Sequence, residues 1–437
     1  MAVLAAGPAH AGPPLGDGYV RSISCEVLTL SAKLESTHWV FADRESQNDS
    51  DLVREIQSNA KGKAKPLDLH YVQSRSSNRF EARAGTGKWT PGGFGSTNYT
   101  APTMMRLVLT EGSEIQFDGV LGDFGLVIHA PVAYRHNGGI TQRPIAIDRA
   151  GRTIDLPRFP VVEFESELSF RPGYYGLAAA LCPDAAGGAD PAAFVFTRCC
   201  IEPREGRVWW KRDGPYRDAD GNYTRTGPDA FNTEKLRLSQ PPIYEVQAML
   251  FKTPQRSGEP DGERVPAFDA VSADGWSRLF AYGSVAVRSG KFKARRGEII
   301  YDVAGVHAAR GTESDLSPIG TKEVFSGIAL VGSFAPSEGK GEAGKLTLAF
   351  DCDLAPPDFP AAEAQIANLG ANGDKAEWLP PVRHVASARL DEKEIALGVP
   401  MFLGSWDAPG DGGDGDRNAD AEGGAARIAG FVRVVRR

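Results

Sequence analysis

Asp351 and Asp353 are the first residues whose types and spacing could do chemistry. On a strand, positions i and i+2 face the same way, about 6.5–7 Å apart. That separation suits paired carboxylates in glycoside hydrolysis or at a metal site. The competing reading is an exposed strand end that runs into the Pro356-Pro357 turn.

A second constellation is Asp218, Asp220 and Asn222, followed by Asp229. Oxygen ligands at alternate positions suit calcium, the one cofactor the sequence suggests. Tyr223 stands where a calcium loop of this kind needs its turning glycine. The stronger reading is therefore a hairpin, with Asp220-Gly221 turning between Tyr216-Arg217 and Tyr223-Thr224. Asp411, Asp414 and Asp416 form another acidic, Gly-rich loop, out of register with calcium-binding repeats.

Aromatic side chains give a binding site of a different kind. Trp209 and Trp210 are adjacent, so on a strand one ring faces a core and the other faces out. With Tyr216 and Tyr223 they are the expected ligand-binding residues, able to stack on sugar rings or anchor a protein partner.

Strong catalytic signatures are missing. The chain has no Gly-x-Ser-x-Gly elbow and no His-Glu-x-x-His pair. Gly85-Thr86-Gly87-Lys88 fails as a phosphate loop, because Ala82 replaces the first glycine and Trp89 the Ser/Thr; it reads as a surface loop. The histidines are scattered. His129 and His136 lie nearest each other, with Pro131 and the Asn137-Gly138-Gly139 turn separating their surroundings.

The net charge of −7 argues against nucleic acid as a partner. The basic stretch from Arg288 through Lys291, Lys293 and Arg295 to Arg296 is read as a solvated hairpin edge, where cations discourage strand pairing. No apolar run reaches the roughly 18–20 residues that span a bilayer. Ala9-His10-Ala11 resembles a signal-peptide cleavage site. The expected location is extracellular or periplasmic, with the cytoplasm as the alternative. If the chain is exported, Cys182 with Cys199 or Cys200 is the expected bridge; if not, all five cysteines are buried small hydrophobes. Asn48, Asn98 and Asn222 head Asn-x-Ser/Thr sites.

The elements that must position these residues are strands. The 50 Gly and 30 Pro are dispersed, which means many turns and short elements. The dominant hydrophobic period is two. In Val161–Phe170, Val162, Phe164, Leu168 and Phe170 share one face, and Glu163, Glu165 and Glu167 the other. A hairpin is expected around Glu111-Gly112, a second around Asp148–Gly151, and a third around Pro203 and Gly206. Further strands are expected at Ile243–Phe251, Phe325–Phe334, Lys345–Phe350 and Ile428–Val435. Short helices are expected at Ser50–Ala60 and Phe359–Leu369.

The predicted fold is mainly β, with antiparallel β-sandwich or jelly-roll-like units and a few short helices. Residues 1–16 form a tail or signal remnant, 17–255 one β-rich domain, and 256–437 a second with a loop at 407–424. The cut falls at the Pro/Gly-rich stretch 253–275. The leading functional reading is a non-catalytic binding or structural protein for a carbohydrate or a protein surface. The alternatives are a carbohydrate-active hydrolase using Asp351 and Asp353, and a phage or surface-assembly component.

Overall fold

A computed structural model describes residues 22–32, 49–59, 65–75, 79–95, 103–122, 127–146, 153–170, 173–183, 192–202, 216–217, 223–224, 242–253, 268, 279–308, 316–337, 342–354, 382–407 and 427–437. The elements begin with β1 (Ser22–Ala32), α1 (Asp49–Asn59), β2 (Lys65–Arg75), β3 (Phe80–Gly95), β4 (Thr103–Phe117), β5 (Val120–Gly122), β6 (Val127–Asn137) and β7 (Thr141–Ala146). There follow β8 (Thr153–Phe170), β9 (Tyr175–Cys182), β10 (Ala192–Glu202), β11 (Tyr216–Arg217), β12 (Tyr223–Thr224), β13 (Tyr244–Thr253) and β14 (Leu279–Val287). The chain closes with β15 (Gly290–Ala308), β16 (Leu316–Pro336), β17 (Ala343–Leu354), β18 (Arg383–Ala396), β19 (Met401–Asp407) and β20 (Arg427–Arg436).

Two large antiparallel sheets hold nearly all of this. The first has eight strands in the order β19-β20-β13-β14-β9-β10-β1-β2. The second has ten, in the order β18-β17-β16-β15-β8-β6-β4-β3, with β5 beside β6 and β7 beside β8. Both sheets draw strands from either side of residue 256: β13 pairs with β14, and β8 with β15.

The core lies between the sheets. Val27, Val195 and Val246 of the first meet Phe164, Leu330 and Leu348 of the second, all fully or almost fully buried. On the other face of the eight-stranded sheet, α1 lays Leu52, Val53 and Ile56 over Leu177, Phe194 and Phe251. Asp49 begins this helix and accepts a hydrogen bond from the Leu177 backbone N–H at 2.9 Å. Among the described residues no helix is long and apolar enough to cross a membrane.

The alternation in Val161–Phe170 forms as expected, with Phe164 buried and Glu165 exposed. The hairpins β7–β8 and β11–β12 are also present, the latter pairing Tyr216 with Thr224 and Arg217 with Tyr223. Trp209, Trp210, Asp218, Asp220, Asn222, the helix expected at 359–369 and the three Asn-x-Ser/Thr asparagines lie outside the described residues.

Three local expectations need correction. Glu111-Gly112 is not a hairpin turn but the middle of the single strand β4. Gly85–Lys88 is not a loop but the middle of β3. The basic stretch is not a sheet edge, because β15 is flanked by β8 and β16. Its cations are matched instead by the glutamates of β8: Lys293 contacts Glu163 at 2.6 Å, Arg295 pairs with the same carboxylate, and Arg288 reaches Glu167 at 3.5 Å.

The expected bridge from Cys182 also fails. Leu181 pairs with Ala193, which puts Cys182 level with Ala192. Cys199 is then seven residues further along β10, roughly 23 Å away at the usual strand rise. Disulfide geometry needs Cα atoms within about 7 Å.

Candidate functional site

The ten-stranded sheet is crossed by two aligned rows of residues. One row is charged with alternating sign: Arg83 pairs across strands with Glu114, Glu114 with Arg135, Arg135 with Glu163, and Glu163 with Arg295. Opposite charges at directly facing positions stabilise a sheet. The Arg83 guanidinium sits 3.1 Å from Glu114, whose charge raises the Arg83 pKa.

The next row is built on glycine. Gly85 faces Gly112, then come Asn137 and Val161, then Gly297 facing Gly327, and finally Asp353 and His384. Gly112 has φ 129° and Gly327 φ 151°, conformations an L side chain rarely adopts. A Cβ on Gly85 would overlap the Glu111 carbonyl oxygen, and one on Gly297 the Ser326 carbonyl oxygen. Only glycine fits at such close approaches, and glycine pairs of this kind let a long sheet curve.

A cleft of about 220 Å³ lies on this crease. The charged row supplies Arg83, Glu114 and Arg135 to its lining, and Asn137 and Thr110 add an amide and a hydroxyl. Phe159 and Tyr301 belong to a small satellite core with Val161 and Ile299, and bring it to the cleft. The polar groups are held in place. Arg135 Nε donates to Asn137 Oδ1 at 2.9 Å, and Asn137 Nδ2 donates to the Thr110 carbonyl at 2.9 Å. Burial, then the Glu323 carboxylate, push the Tyr301 hydroxyl pKa up, so it is a neutral donor.

Val108 also lines the cleft, and its cross-strand partner is Trp89. The indole is 71% exposed and Val108 50% exposed. Directly paired positions project to the same side of a sheet. An open aromatic platform therefore stands beside a polar, creased floor. Trp89 is the site residue that the sequence reading passed over; it entered only as the residue that spoils a phosphate loop. The signal was the alternation Gly85, Gly87, Trp89, which puts two side-chain-free positions and an indole on one strand face.

The predicted carboxylates lie at the far end of the same sheet. Asp351 and Asp353 face the same way on β17, with Cys352 buried between them. Each has a basic side chain beside it on β18: the Arg389 guanidinium lies 2.9 Å from Asp351, and His384 Nδ1 2.7 Å from Asp353. His384 lines a cavity of about 390 Å³ where the edges of the two sheets meet, with Ser405, Trp406, Asp407 and Arg427. Arg427 Nε is buried there without a hydrogen-bond partner among the described residues. Trp406 is already packed against the core, with its ring over Gly404 and Gly430.

A third cluster is polar and spans the sandwich interior. Thr29 Oγ1 donates to Tyr134 at 3.0 Å, and Tyr134 donates to Asp68 Oδ2 at 2.7 Å. Ser113 Oγ donates to the same carboxylate oxygen at 2.5 Å. His136 Nδ1 lies 3.0 Å from Ser113 Oγ and must donate to it, since the serine proton is already committed. A nucleophilic serine gives its proton to an imidazole; this one gives it to a carboxylate. The cluster is a clamp between the sheets. His129, the other histidine of interest, contacts Ser169 Oγ at 2.9 Å.

Burial lowers the pKa of both His70 and His136, with the Asp68 charge opposing it at each; at His136, Arg296 lowers and Glu111 raises it as well. Unfolding restores the ordinary imidazole value of 6.5, so below it the unfolded chain binds more protons than the folded one. We expect stability to be full above pH 6.5 and to fall as the pH drops toward the lowered folded values. Urea midpoints at pH 7.5 and 5.5 check this, and a His70→Asn/His136→Asn variant should show a smaller difference between them. An equal difference in that variant would assign the acid sensitivity elsewhere.

No protein-family model matches the chain, and no curated protein matches it. A cryo-EM structure of the ETEC pilotin–secretin AspS–GspD complex aligns with it at 9% identity and a TM-score of 0.22. The alignment covers 43% of this chain and 51% of that one, so this chain spans about half the length of the structure it matches. A TM-score that low carries no argument.

Proposed function

We propose that this is a non-catalytic β-sandwich binding protein whose crease cleft takes a hydroxylated, carbohydrate-like ligand. The carrying observation is the exposed Trp89 beside a cleft lined with an amide, hydroxyls and paired charges. An indole face packs against the C–H surface of a sugar ring, and planar polar groups hold the hydroxyls in register. Trp89 on β3 adds an aromatic platform to the Trp209 and Trp210 of the sequence reading, which lie outside the described residues.

The test is affinity electrophoresis against soluble cello-, xylo-, chito- and malto-oligosaccharides and their polymers. Wild-type protein should be retarded by at least one class. Trp89→Ala should weaken that binding about 30-fold, the size expected for a dominant aromatic contact, while Trp406→Phe leaves it unchanged. Equal retardation of wild type and Trp89→Ala would overturn the site, and no retardation by any class would overturn the ligand.

The hydrolase reading keeps one observation of its own, the Asp353–His384 pair beside the cavity at the sheet edges. Its test is turnover of the same oligosaccharides by Asp351→Asn and Asp353→Asn. Unchanged turnover in both would remove those carboxylates.

A further inference from the structure

We propose that Cys25 and Cys199 form a cross-strand disulfide when the protein folds in an oxidising compartment. The two are direct partners in the antiparallel pairing of β1 with β10. Facing residues in either kind of antiparallel pair have Cα atoms about 4.5–5.5 Å apart, inside the window for a disulfide. Both side chains point into the core between the sheets, where both are fully buried. Their thiols are close enough to hydrogen-bond to each other.

The other cysteines are placed differently. Cys200 follows Cys199 and so projects to the opposite face of β10. Cys182 packs in the separate cluster beneath α1. Cys352 lies on the other sheet, its thiol near the Pro183 carbonyl. Position alone therefore selects one pair out of five cysteines.

The chemistry is thiol–disulfide exchange with a small disulfide such as oxidised glutathione. The Cys25 thiolate attacks the oxidant, its sulfur bonds to one glutathione sulfur, and the other glutathione leaves as a thiolate. The Cys199 thiolate then attacks the Cys25 sulfur and displaces the second glutathione. Two electrons pass to glutathione, and the protons given up by the two cysteines end on its two thiols. Burial pushes the Cys199 thiol pKa well up, and neither sulfur is open to solvent. The bond therefore forms as β1 and β10 pair during folding, and then resists reduction. It closes a long segment of chain, where a cross-link restricts the unfolded state most.

The test is to refold the full chain with a mixture of oxidised and reduced glutathione and to isolate the folded fraction. The intact mass should fall by about 2 Da, for the two hydrogens lost. Of the five cysteines, three should alkylate under denaturing conditions before reduction and all five after it. Non-reducing peptide mapping should join the Cys25 peptide to the Cys199 peptide. The bridge should survive in a Cys182→Ser/Cys200→Ser variant, and the oxidised protein should melt several degrees above the reduced one. Five alkylated thiols in the oxidised folded protein, or a map joining Cys199 to any other cysteine, would overturn the proposal.

Discussion

Gly297→Val should be among the most destabilising single substitutions in the sheet, costing about 3–5 kcal/mol. Gly297 faces Gly327 at the centre of the crease. A Cβ there would lie 2.6 Å from the Gly327 Cα, as well as overlapping the Ser326 carbonyl oxygen. Both obstacles are backbone, so no side chain can swing aside. The strands must separate, and β15 is paired on both sides at this point, with Val161 of β8 and Gly327 of β16. The urea midpoint should fall sharply. Gly139→Ala is the control: nothing lies within 4 Å of a Cβ at that position, and the change should stay within about 0.5 kcal/mol. If the two variants have the same midpoint, the glycine row is incidental.

Phe164→Ala should cost a comparable amount, about 3–5 kcal/mol, for a different reason. Phe164 is fully buried on the inner face of β8, with its ring 6.0 Å from that of Tyr134. Truncation leaves a cavity in the layer that joins the two sheets, next to the clamp formed by Tyr134, Asp68 and Ser113. The neighbouring Glu165 is exposed on the opposite face, so Glu165→Ala should change stability by no more than about 0.5 kcal/mol. A large loss in the glutamate variant, or a small one in the phenylalanine variant, would mean that the faces of β8 are reversed.

Phe164 also shows what the sequence could yield. A period of two assigns each residue of 161–170 to a face without reference to any other strand. Period says nothing about which strand lies alongside. The glutamates of β8 and the cations of β15 looked like two separate solvated faces because their pairing spans more than a hundred residues. His384 comes to Asp353 only through the pairing of β17 with β18. Gly112 was misplaced for a more specific reason. A glycine at positive φ serves a hairpin turn and a mid-strand kink equally well, and only its partner Gly85 distinguishes them. The same long-range alignment makes Trp89 a candidate site residue, because the cleft beside it draws on β3, β4, β6, β8 and β15 together.

An NMR titration of the tryptophan indole N–H signals tests whether the crease beside Trp89 takes a ligand. The probe is whichever oligosaccharide retards the protein. The Trp89 indole signal, assigned by Trp89→Phe, should shift in a saturable way while the Trp406 signal stays in place. A Trp406 signal that moves with Trp89 fixed would put the ligand at the meeting of the sheet edges and rule out the Trp89 site.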